Sequence, residues 1–225
     1  MVSAPNHGKS WLEPTSGQGK LRRSPLYVEY EAEINLPRIL MHNAQTANPL
    51  NEFAKALKAI SGKRNKTEAD HLAMARIEYE AGLYLNDKRK VIIPGRVFEA
   101  CIAEGAKKSK EGKIALSTTI VENDAVITYD GGPLTVEELL DSEDHKLVVP
   151  VKVGMAKIMR TRPLFHNITA TFTVSLQTEL ANPTQLERWI TDCLNQVGIG
   201  DWRPRYGRGT LEKFVEKKTS LKKVA

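Results

Sequence analysis

Residues 26–36 alternate, with Leu26, Val28, Tyr30, Ala32, Ile34 and Leu36 on one side and Tyr27, Glu29, Glu31, Glu33 and Asn35 on the other. A period of two is that of a strand with one buried and one wet face. Pro37 closes this run, and a loop to Asn48 carries Leu40-Met41-His42-Asn43. Leu50, Phe53, Ala54, Leu57 and Ile60 then fall at helical spacing, and Gly62-Lys63-Arg64-Asn65-Lys66 makes a basic turn. Thr67 with Asp70 reads as a helix start, and Leu72, Met74, Ile77 and Ala81 carry a second helix to Gly82.

Tyr84 to Ile93 predicts a hairpin about Asn86-Asp87, after which Pro94-Gly95 opens a helix with apolar Val97, Phe98, Cys101 and Ile102. That helix ends at Lys107-Lys108-Ser109-Lys110, where positive charge suits the helix dipole. Residues 114–129 read as extended, with Ile120, Val121, Val126, Ile127 and Tyr129 buried, and Leu134 to Leu140 as a short acidic helix. Leu147 to Ile158 is β-prone and passes into Met159-Arg160-Thr161-Arg162, while 168–176 alternate as a second amphipathic strand. Asn182, Pro183 and Gln185 supply a cap, a first-turn proline and a capping-box partner for a last helix that Gly198 ends. A short strand near Thr210 to Val215 follows.

This order predicts an α+β fold: a modified ferredoxin-like or RRM-like antiparallel sheet with helical-hairpin and β insertions. In RNA-recognising sheets of that kind, an open face carries aromatics on which unpaired bases stack.

The net charge of +6 is unevenly placed. Lys9, Lys20, Arg22 and Arg23 against Glu13 give residues 1–25 a charge of +3. Arg208, Lys213, Lys217, Lys218, Lys222 and Lys223 against Glu212 and Glu216 give 208–225 +4, leaving −1 for 26–207. The sequence thus divides into a flexible basic arm (1–25, with Trp11 and Leu12 as apolar anchors), a domain over 26–215 and a basic tail over 216–225. Basic arms beside a near-neutral body are the electrostatic footprint of a nucleic-acid binder.

No run reaches the roughly 20 apolar residues of a membrane span, and no signal-peptide core opens the chain. A cytoplasmic protein without a membrane partner is the expectation. Cys101 and Cys193 sit in amphipathic patterns without a Cys-x-x-Cys or a Cys/His cluster. They read as two buried thiols, and no metal or other cofactor is expected.

The densest chemistry lies in Gly198 to Gly209, where four glycines, three arginines and two aromatics occupy twelve residues. Glycine permits positive φ and close approach of a ligand to the main chain. Arginine and aromatic side chains grip phosphates and stack on bases. Trp202, Arg203, Arg205, Tyr206 and Arg208 are therefore candidate nucleic-acid contacts, with Arg96, Lys107, Lys108, Arg160, Arg162, His42 and Asn43. Arg160 and Arg162, two apart in a β-prone stretch, share a face, where phosphate contact and an ion-pair role are both open. Trp202 is open between plugging the core and stacking on a base.

Two stretches resemble the RAMP superfamily, the repeat-associated RNA-binding subunits of CRISPR effector complexes. Val91-Ile92-Ile93-Pro94-Gly95-Arg96-Val97-Phe98 looks like that family's strand, Pro-Gly and helix opening, and Arg205-Tyr206-Gly207-Arg208 is similar to the end of its glycine-rich loop. The family's Ser-Ser-Leu-Lys is here Arg96-Val97-Phe98-Glu99. The resemblance implies a single-strand binder that assembles along RNA as a homo-oligomer or filament, with other subunits of a ribonucleoprotein as partners. Leu-Met-His-Asn and Gly-Asp-Trp-Arg also resemble phage sequences, which makes a phage-encoded relative and a CRISPR subunit equal expectations, in the cytoplasm of a bacterium or of a phage-infected host.

Three other functions stay open: a phage single-stranded DNA-binding or annealing protein, an RNA-processing endonuclease using His42, and an adaptor without nucleic acid. Between Pro37 and Asn51 there is no acidic residue, and no hydrolase or P-loop motif occurs. Binding without catalysis is the expectation.

Overall fold

A computed structural model describes residues 27–217, so the arm expected over 1–25 and the tail beyond Lys217 lie outside the described residues. The organising element is the 22-residue strand β6, Ala156–Gln177. One flank of β6 pairs with β1 (Tyr27–Leu40), from Tyr27 opposite Gln177 to Leu40 opposite Leu164. Its other flank takes β5 (Lys146–Val153) against 156–163, β4 (Ala125–Thr128) at 169–170 and β3 (Thr119–Val121) at 174–176. β2 (Ile92–Ile93) extends the sheet beyond β4, and β7 (Thr210–Glu216) lies outside β1. All pairings are antiparallel, and the long path runs β2-β4-β6-β1-β7. This is an α+β, ferredoxin-like antiparallel sheet, as the element order predicts.

Alternation decides the core. Tyr30, Ala32, Ile34 and Leu36 of β1 are buried beside Ile168, Ala170, Phe172, Val174 and Leu176 of β6. Helices α3 (Gly95–Ala106) and α6 (Pro183–Asp192) supply the other side of the core, with Phe98 stacked on Phe172 at 4.1 Å and Trp189 fully buried. Gly105 lets the two helices close, since a Cβ there would sit 2.0 Å from the Trp189 carbonyl oxygen. Cys101 and Cys193 meet at that crossing. Expected as free thiols, they are buried but joined in a disulfide, their Cα atoms 5.7 Å apart. Tertiary packing of residues 92 apart in sequence creates that pair.

The hairpin of α1 (Glu52–Ser61) and α2 (Glu68–Gly82) stands beside the first half of β6. Thr67 and Asp70 form the expected capping box. Residues 114–118 correct the extended reading, because they belong to helix α4 (Gly112–Thr118). The hydroxyls of Ser117 and Thr118 donate to the Ile114 carbonyl and that of Thr119 to Ala115, which reconciles these β-prone residues with a helical turn. Ile120 and Val126, expected in the core, alternate outward on their short strands. The acidic helix α5 (Val136–Asp141) forms as expected. No described helix is long and apolar enough to cross a membrane.

β1 runs past Pro37 rather than ending there. Pro37 has no N–H to give a ladder, and the register skips from Leu36–Ile168 to Arg38–His166, with Asn167 opposite at φ 48°. Across this irregularity the inward–outward phase shifts. Ile39 and Leu40 turn into the core, while Arg38 is left outside, facing the glycine loop.

Candidate nucleic-acid interface

The loop Gly198–Gly209 is anchored on the extended end of β1. Asp201 N–H donates to the Leu40 carbonyl at 2.8 Å and Gly207 N–H to Arg38 at 2.9 Å, while Ile199 N–H closes the loop on Gly207 at 2.9 Å. Gly209 N–H donates to Leu194 and Gly198 N–H to Cys193. Gly207 shows what the glycines are for: φ is +79°, and a Cβ would lie 1.7 Å from the Ile199 oxygen. The sequence reading gave these glycines positive φ and close approach of a ligand; Gly198, Gly200 and Gly207 do take positive φ, and the close approach they allow is that of the loop to the sheet, with those five amides already bonded. Gly95 N–H likewise donates to the Asp124 carboxylate at 2.8 Å.

Four cavities follow one another across this surface by shared walls. The first, about 510 Å³, lies between the α1–α2 hairpin and β6 and is walled by His42, Phe53, Leu57, Glu78, Arg160 and Arg162 among others. His42 also walls a second of about 120 Å³, with Tyr84, Pro94, Gly200 and Asp201. Gly200 and Asp201 recur in a third, about 540 Å³, with Lys108, Trp202, Arg203 and Pro204. Pro204 recurs in a fourth, about 510 Å³, whose walls are Pro37, Arg38, Pro204, Arg205, Gly207 and Arg208. That last wall holds three guanidinium groups and no carboxylate. Among the described residues, no ion pair is formed by Arg38, Arg203, Arg205, Arg208, Arg96 or Lys108.

The predicted residues thus fall into two groups. Lys108, Trp202, Arg203, Arg205 and Arg208 meet on the third and fourth cavities. Trp202 is half-exposed at φ 52°, so it does not plug the core. Arg96 lies over the Tyr84 ring, 5.5 Å from its centroid, beside the second cavity.

The others are engaged elsewhere. Tyr206 is buried with Leu40 and Leu164, and Arg38 lies 4.9 Å over its ring, so it supports a cation rather than offering a free stacking face. Asn43 caps the 3-10 turn Ala44–Ala47 by accepting from Gln45 N–H and donates to the Leu83 carbonyl at 3.1 Å. Lys107 pairs with Glu104. Arg160 pairs with buried Glu78, whose second oxygen accepts from Thr161 N–H at 2.9 Å. Arg162 is held more loosely, its Nε 3.6 Å from Asp201. Loss of water around the ring, then the nearby Arg162 and Arg160 cations, hold His42 below its usual range, outweighing Asp201 and Glu78. The imidazole is therefore neutral at pH 7.

Arg38, Tyr84 and Glu78 were missed from sequence. Arg38 was hidden because Pro37 reads as a strand end. The open face of the sheet carries Glu29, Glu31 and Glu33 with Thr169, Thr171 and Thr173, and Tyr27 is an exposed aromatic on that side at the start of β1. Glu31 pairs with Lys213 at 2.8 Å, a contact that lowers the carboxyl's pKa, and Glu29 pairs with Lys217. Among the described residues, no three His, Cys, Asp or Glu side chains gather as metal ligands.

No protein-family model matches the chain, and no curated protein matches it in sequence. Among solved structures, it is similar to a chain in the cryo-EM structure of the type III-B Cmr-beta bound to cognate target RNA, with a TM-score of 0.53 and 12% identity. The match covers 85% of this chain and 61% of that one, so this chain spans about three fifths of its neighbour's length. At that identity the likeness is one of fold.

Proposed function

We propose that the protein binds single-stranded nucleic acid, RNA in the first instance, along the cationic trough of the glycine loop, without cleaving it, and that copies assemble side by side on the strand. The observation that carries this reading is the convergence of Arg38, Arg205 and Arg208 on one concave wall free of carboxylates. Guanidinium groups held this way match phosphate oxygens in pairs. Exposed Trp202 beside Arg203 and Lys108 adds one aromatic surface on which a base can stack. The neighbour's structure with target RNA supports RNA over DNA as ligand. The hairpin β5–β6 supports assembly: 146–163 contain no acidic residue, Lys152 and Lys157 face each other across the strands, and Met155, Met159 and Val148 are exposed. Like charges directly opposite destabilise an isolated hairpin, and an anionic partner relieves that cost.

The test is binding of a fluorescent 30-mer RNA across a salt series. Affinity should fall with salt at a log–log slope of about −0.7 per phosphate neutralised. Changing Arg38, Arg205 and Arg208 together to Ala should flatten the slope by about 2 and weaken all sequences alike. Wild-type affinity independent of salt, or a triple variant binding like wild type, overturns the proposal. A matched DNA strand binding more tightly than RNA overturns the choice of polymer, and shortened RNA products overturn binding without cleavage.

A further inference from the structure

The first cavity has a character that phosphate binding does not use. Helix α1 is amphipathic, yet none of its residues is fully buried. Its apolar side, Phe53, Ala54 and Leu57, faces Ile77 and Ala81 of α2 across about 510 Å³ of open space. That volume is in the roughly 300–1,000 Å³ range of small-ligand sites. The fourth cavity, similar in size, is walled by arginine, proline and glycine; this one has apolar residues from both helices, with His42, Glu78, Arg160 and Arg162 as its charged and polar wall.

We infer that this cavity is a nucleobase pocket, which takes one unpaired base of the bound strand against Phe53 and Leu57 while Arg162 holds the adjoining phosphate. The inference rests on the strand-binding reading above and names what that strand does at its far end. Three features at the mouth fit a nucleotide. Arg160 is committed to Glu78; Arg162, whose Nε lies 3.6 Å from Asp201 and whose NH1 donates to the Thr161 carbonyl at 3.4 Å, has further guanidinium N–H groups for a phosphate. His42, kept neutral, offers one donor and one acceptor, the pair a base edge requires. His42 also walls the next cavity, so a strand following the trough from Trp202 passes this mouth. An apolar side chain from another protein would fill the helical end but make no use of Arg162 and His42.

The experiment compares two 30-mer strands, one normal and one in which abasic units replace every nucleotide, on the full chain and on Ala54→Trp, which fills the cavity. The expected result is about a tenfold loss of affinity of Ala54→Trp for the normal strand, as for one stacked base. Its affinity for the abasic strand and its salt slope should match wild type. Phe53→Ala, at a half-exposed ring, should give the same pattern and keeps the test open if the tryptophan disturbs α1. Titration with a free mononucleotide separates sources: saturable binding abolished by Ala54→Trp means that the pocket also takes free nucleotides. Equal behaviour of both variants and wild type on both strands overturns the pocket while leaving strand binding intact. Wild type binding neither strand overturns the underlying reading and the pocket with it. Loss of self-association with unchanged strand affinity assigns the cavity to a neighbouring copy and overturns the proposal.

Discussion

One carboxylate ties α6 to the turn after α3. Glu111 accepts hydrogen bonds from the Trp189 indole N–H at 2.6 Å, from Ser109 at 2.9 Å and from Gln185 at 3.1 Å, and it pairs with Arg188. The Trp189 bond first, then those of Ser109, Arg188 and Gln185, prevail over desolvation and hold its pKa at about 2, against an ordinary 4.5. A depressed carboxylate stabilises the fold above its unfolded pKa and loses that contribution as pH falls through the folded value. Thermal melts should therefore decline between pH 4.5 and about 2. Glu111→Gln should melt lower at pH 7 and show a flatter acid limb; parallel acid limbs would rule the linkage out. Glu78 makes a second case at this scale. Glu78→Ala leaves Arg160 half-buried without its counter-charge and Thr161 N–H without an acceptor, at a cost of about 3 kcal/mol, read by denaturant unfolding. The shared face of Arg160 and Arg162 was legible from strand alternation. Their partners were not, because Glu78 lies 82 residues from Arg160 and only the docking of α2 on β6 joins them.

Elements whose signals are local were readable, and those that depend on a neighbouring strand were not. The caps Thr67–Asp70 and Asn182–Gln185 sit at fixed spacings and form in the structure. α4 escaped because its β-branched and hydroxylated residues are satisfied by carbonyls one turn back. The continuation of β1 past Pro37 escaped because the irregularity that admits a proline is shared with Asn167 on β6. The glycine loop was legible as a turn through positive φ, but its seat on β1 was not, because that depends on the continuation of β1 past Pro37. It predicts a clear outcome: Gly207→Ala, with φ at +79° and a Cβ 1.7 Å from the Ile199 oxygen, should destabilise the fold by at least about 2 kcal/mol. It should weaken strand binding through loss of the loop's position on β1. An unchanged melting temperature in Gly207→Ala would show that the loop is not anchored as described.

At the scale of the molecule, charge separates by face. Glutamates line the open side of the sheet, while the arginines at the end of β1 and in the glycine loop face a trough, a division hidden in a net charge near zero for 26–207. On the proposed reading, a strand confined to one edge leaves the β5–β6 hairpin uncovered, its exposed methionines at Met155 and Met159. Apolar side chains presented beside a polyanion track favour a second copy on the same strand, since each added copy shares the strand and buries those side chains. Binding should then be cooperative on strands long enough for several copies and non-cooperative on an 8-mer. Replacing Met155 and Met159 by Ser should abolish the cooperativity on a 30-mer and leave 8-mer affinity within about twofold, because neither residue carries charge and a single stacked or phosphate contact is worth more than that. Mass measurement of the complexes reads this directly: wild type should step to multiple copies per 30-mer at low occupancy, and the double variant should fill strands one copy at a time. Stepwise filling by wild type would mean that the hairpin's exposed face serves something other than its own kind.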